Sequence, residues 1–147
     1  MKRMLIAAAA ILAVGTTAAF SQSAAIGQRK EAMKAAGAAA KEGGAMMRGE
    51  APFDLAKVQA ALKTYADVAK KAASLFPDDS KTGGETTVLP VIWEKKKDFE
   101  ASFAKWGADA DAAAKVIKDE ATFKAEWPKV MSNCGGCHKV YRVPPKK

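Results

Sequence analysis

A single histidine and two cysteines occur in the 147 residues. One histidine excludes multi-histidine metal centres of the protease or zinc-finger kind. Two cysteines are too few for a disulfide-stapled scaffold. Glycine (11 residues) and proline (6 residues) are scarce, which excludes a collagen-like chain and argues against disorder. Ile, Leu and Val are sparse beside Ala, and no segment alternates with a period of two, so a Val/Ile-rich parallel sheet is excluded. What remains is 49% apolar and 27% charged, enough for one domain. The 24 Lys+Arg outnumber the 16 Asp+Glu, and the net charge of +8 suits an acidic partner or surface. No recognition motif accompanies that charge, so no nucleic acid is expected.

The first residues have the layout of an export signal. Met1-Lys2-Arg3 is a short positive region, Met4 to Val14 is an unbroken apolar run, and Ala19-Phe20-Ser21 fits a small-x-small cleavage site. This predicts a signal peptide over 1–21, cleaved after Ser21, and one domain over 22–147. The apolar run falls short of the ~20 residues that span a bilayer, so no membrane anchor is expected. The predicted product is exported, to the periplasm, and loses the charges of Lys2 and Arg3.

In the rest of the chain apolar and small residues recur at spacings of three and four, the mark of amphipathic helices. Ile26, Met33, Gly37, Ala40, Gly44 and Met47 share a face, as do Leu55, Val58, Leu62, Tyr65, Val68, Ala72 and Leu75. Ile92, Phe99, Phe103, Trp106 and Ala110 form a third stripe, and Phe123, Trp127, Val130, Cys134, Cys137 and Tyr141 a fourth. Helices are predicted over 23–48, 54–75, 91–116 and 119–142, with Asp54 as an N-cap. Four helices with these connections predict an all-α, antiparallel up-down-up-down four-helix bundle. Pro128 should kink the fourth helix or start its main part. The small residues on the first helix suit close approach, either by another helix backbone or by a flat ligand.

Cys134-Gly135-Gly136-Cys137-His138 uses both cysteines and the one histidine. Cysteines at i and i+3 on a helix point the same way, so their thiols can add to the two vinyl groups on one edge of a haem. The next residue then offers an imidazole to the iron, while the two glycines place no side chain against the ring. A thioredoxin-like pair would need a preceding strand. A zinc site would need a fourth ligand. A plain disulfide would leave His138 unexplained. The motif therefore predicts one covalently attached haem c with Cys134 and Cys137 as its anchors and His138 as an axial ligand.

A secreted four-helix pattern that ends in C-x-x-C-H close to the C-terminus resembles the cytochrome c-prime family, the class II c-type cytochromes. The likeness covers the whole exported chain: Arg29 four residues before Met33, Gly49 to Phe53, Ile92-Trp93, and Cys134 to Arg142. The resemblance implies that Met33 sits over the distal haem face. Met33-Lys34-Ala35-Ala36-Gly37 is closer to a low-spin branch in which that methionine ligates iron, which implies an electron carrier. Other members are five-coordinate and bind nitric oxide or carbon monoxide, and this alternative stays open here. The resemblance also pairs Arg29 with a haem propionate, while Arg142, four residues after His138 and one turn along the same face, is placed to shield or pair near the exposed haem edge. A solvated arginine, and a favourable charge at a helix C-terminus, are the plainer readings of those two residues. No enzyme activity is expected, because no second histidine exists to serve as a distal acid–base group. Lys139, Arg142, Lys146 and Lys147, with Lys95-Lys96-Lys97, suit an acidic redox partner. The family also forms homodimers through its first two helices, while the sequence itself shows no decisive interface.

Overall fold

The computed structural model describes residues 5–82 and 84–145, with side chains from residue 24 onward. Met1 to Met4 of the expected leader, and Lys146 and Lys147, lie outside the described residues. Among the described residues there are five α-helices: α1 (Leu5–Met47), α2 (Leu55–Ala72), α3 (Val91–Glu94), α4 (Lys96–Val116) and α5 (Glu120–Tyr141). A 3-10 turn over Ala73–Leu75 extends α2, and a second covers Asp78–Ser80. The boundaries of the long helices lie within three residues of those expected from periodicity, apart from the starts of α1 and α4.

The ends follow from local chemistry. Helix α1 stops at Gly49, whose φ of 73° is cheap for glycine alone, while Glu50 N–H bonds back to Ala45 O and Gly49 N–H to Met46 O. Asp54 caps α2 by accepting from the Lys57 N–H, as expected. Asp119 and Thr122 form a reciprocal capping box at the start of α5.

Two expectations need correction. The third helix is broken at Lys95, so that α3 is a single turn; Trp93 Nε1–H donates to the carbonyls of Phe76 and Pro77 and ties this turn to the loop after α2. Pro128 does not start the main part of α5, which runs from Glu120 to Tyr141 through it. Pro128 is exposed, so the Lys124 carbonyl it cannot serve is left on the solvent side. Phe123, Trp127 and Val130 bury themselves on either side of it and hold the helix together.

The helices pack in a ring, α1 on α2, α2 on α4, and α4 on α5. Gly107 of α4 lies so close to Ala69 of α2 that an added Cβ would sit 3.1 Å from the alanine methyl. Val58, Leu62, Tyr65, Ile92, Ile117, Phe123 and Val130 are essentially sealed from solvent. Aromatic rings run through the interior: Phe76 on Phe99 (4.6 Å), Phe99 on Tyr141 (5.0 Å), and Tyr65 between Trp106 (5.3 Å) and Trp127 (5.7 Å). The fourth side of the ring, between α1 and α5, is the thinnest. That side positions the site.

Candidate functional site

Helix α5 presents Cys134 and Cys137 half-buried and one turn apart, with His138 exposed beside them. Burial pushes both thiols above the ordinary cysteine range. Partial burial of its ring and the neighbouring Arg142 charge lower the His138 pKa. Among the described residues no three of His, Cys, Asp and Glu converge on one metal-ion position. The two sulfurs and the imidazole instead lie along the helix, as a ring fixed at its edge and ligated at its centre requires.

The register of α1 against α5 follows from one contact. The Trp127 indole lies on Gly43 so tightly that any Cβ there would overlap it. The helices are antiparallel, because the other end of α1, at Arg29, meets the loop that pairs with Tyr141 to Val143. Met33 stands ten positions before Gly43, and Cys137 ten positions after Trp127. Both are therefore about 15 Å from that contact along their helices. Met33 is level with Cys137 and His138 across the thin side of the bundle. It is partly buried and packed against the core.

The small-residue face of α1 also needs correction. Ile26, Arg29, Ala36, Gly43 and Met46 are the residues of α1 buried among the described side chains, so Ile26 keeps its expected place while Gly37 is exposed. The face expected from spacing is turned by about 60° at 100° per residue, away from the side that α2 covers with Ala60, Ala61 and Thr64. Met33, Gly37, Ala40 and Gly44 thus border the α1–α5 side. A Cβ added at Gly37 would meet nothing within 4 Å, and one at Gly44 would meet only the Arg48 side chain. Close helix packing explains Gly43, and it does not explain this seam.

Arg29 is buried at 4% exposure. Its guanidinium donates to Ser80 Oγ (3.1 Å), Ser80 O (3.2 Å), Thr86 Oγ1 (2.9 Å) and Leu75 O (3.4 Å), and it lies 4.9 Å over the Phe76 ring. Burial lowers its pKa. No carboxylate lies within ion-pair distance of it among the described residues, and its charge is held by these four neutral acceptors and the Phe76 ring. The open seam of small residues on α1 fits a flat group such as a haem. Arg142 is exposed and caps α5, its N–H donating to His138 O (3.1 Å), so the plainer helix-end role is in place beside its proximity to His138.

Around the site, Tyr65 and Trp106 come from the apolar stripes, whereas Asn133 carries no sequence signal of its own. Tyr65, fully buried, donates to Met131 Sδ (3.6 Å), and burial with the nearby Cys134 drives its pKa far up. Trp106 Nε1–H is buried without a protein partner. Asn133, next to Cys134, donates to Asp109 (2.8 Å) and fixes α5 against α4. Met46 is buried near the far end of α1, away from the level of His138. Lys139 and Lys95 to Lys97 are exposed. No helix among the described residues is long and apolar enough to cross a membrane.

Comparison with known proteins agrees with this geometry. The family described as Cytochrome C' matches residues 24–142. A cytochrome c' of Rhodopseudomonas palustris is 46% identical over 97% of this chain and 98% of its own length. A cytochrome c-556 of Agrobacterium fabrum is 38% identical over 79% of each chain. The structure of cytochrome c' from Rhodopseudomonas palustris superposes with a TM-score of 0.81 at 49% identity, covering 83% of this chain and 98% of that one.

Proposed function

Because the chain belongs to the cytochrome c' family, and is thus a mono-haem c-type cytochrome, we propose that it is an exported electron carrier with His138 and Met33 as axial ligands. The level placement of Met33 with Cys137 and His138 supports this reading above all other observations. When bound, the haem supplies a one-electron iron couple. Cys134 and Cys137 anchor it through thioethers, and Arg29 accepts a propionate into its buried pocket. The soft sulfur of Met33 favours the reduced iron and raises the potential. Two protein ligands also keep the iron surroundings alike in both oxidation states, which keeps reorganisation small. Export follows from the 1–21 leader, cleaved after Ser21. An acidic redox partner approaches the face that carries Lys139, Arg142 and Lys95 to Lys97.

The open space beside Gly37 favours a second reading, in which Met33 gives way to a diatomic gas. Carbon monoxide binding to the ferrous protein separates the two. The carrier reading expects weak, slow uptake limited by release of Met33. Fast stoichiometric uptake at low carbon monoxide would transfer the function to gas binding.

A further inference from the structure

We propose that Thr86, Arg29 and the Thr87–Val143 backbone pair are positioning residues for Met33, setting the spacing between α1 and α5 and so how readily Met33 leaves iron. The inference rests on the ligation reading above. The helices that carry Met33 and His138 touch each other little, with Trp127 on Gly43 at one end. At the other end the segment 84–90 joins them. One turn before Met33, Arg29 donates to Thr86 Oγ1, Lys30 lies 3.7 Å from Glu85, and a Cβ at Gly84 would sit 3.3 Å from Ile26. One turn after His138, the same segment forms a short antiparallel pairing: Leu89 N–H to Tyr141 O (2.9 Å) and Val143 N–H to Thr87 O (2.8 Å), around Val88 and Arg142. Both ligand-bearing turns are thus fastened to one piece of chain. The nearest tie to Met33 is about 6 Å along α1, against about 15 Å to Gly43, so this end has the greater hold on it. With haem held there, Met33 would give up its Sδ bond to the iron and the incoming gas would take that position, a ligand exchange with no net oxidation or reduction.

The test uses the full-length ferrous holoprotein and carbon monoxide. Thr86→Val removes the acceptor from Arg29 and is expected to speed carbon monoxide binding about tenfold, the factor a charge-assisted hydrogen bond commands. Amide exchange at Leu89 and Val143 should speed up in the same variant. Thr86→Ser, which keeps the oxygen, should restore both. Asp119→Ala removes the α5 cap at the opposite end and should leave the rate unchanged. In a Met33→Ala background Thr86→Val should add nothing, because no sulfur remains to be released. A Thr86→Val rate within about twofold of the parent, or equal acceleration by Asp119→Ala, overturns the proposal. If Met33→Ala leaves the parent spectrum unchanged, the ligation reading fails as well, and that outcome is visible separately from the rate.

Discussion

Met33→Ala is expected to convert the ferric holoprotein from low-spin to high-spin and to abolish its methionine–iron charge-transfer band. In the proposed ligation the Met33 thioether, level with His138 on the facing helix, holds the sixth position, and alanine offers no replacement. Freeing the position should tighten carbon monoxide by the inverse of the fraction of molecules in which Met33 is off the iron, about a hundredfold were that fraction about one in a hundred. The reduction potential should fall, since loss of a sulfur ligand removes preference for the ferrous state. Folding should suffer little by comparison, as Met33 is only partly buried. A low-spin spectrum that survives the substitution would show that another group holds the sixth position.

The second large effect concerns the one tight contact between the ligand-bearing helices. Gly43→Val drives a branched side chain into the Trp127 indole. Overpacking of this kind costs about 3 kcal/mol, or about 10 °C of Tm for a domain of this size. Trp127 also lies on Tyr65 and Phe123, so its displacement spreads into the core. Trp127→Leu opens a cavity when made alone, at about 3 kcal/mol. Combined with Gly43→Val it should cost less than the sum, because the valine fills vacated space. The changes are read by thermal unfolding of the holoprotein. A Gly43→Val protein within about 2 °C of the parent would mean that α1 and α5 do not meet as described.

Much of this architecture was legible in the sequence, for physical reasons. The stripes of α2, α4 and α5 contain large apolar residues among charged ones, so period and boundaries stood out. The C-x-x-C-H motif left little room for other chemistry once its cysteines were placed on the inner face of a helix. In α1 the contrast is weak. Alanine and glycine occur on every side, and spacing alone could not distinguish Gly43, pressed on Trp127, from Gly44, which meets only Arg48. Arg29 was visible as a candidate, but its partners Ser80 and Thr86 lie in a distant loop, and only the fold brings them together. Pro128 misled because its helix-breaking tendency is local, whereas the burial of Phe123, Trp127 and Val130 that overrides it is tertiary. Lys95 gave no warning of a break, since nothing in its own chemistry reports that Trp93 is tied to Phe76 and Pro77.

Iron-edge X-ray absorption of the ferric holoprotein at neutral pH reports directly on the atoms bound to the metal. The placement of Met33 opposite His138 predicts one sulfur neighbour beside the porphyrin and imidazole nitrogens. A shell of nitrogens with no sulfur would contradict it.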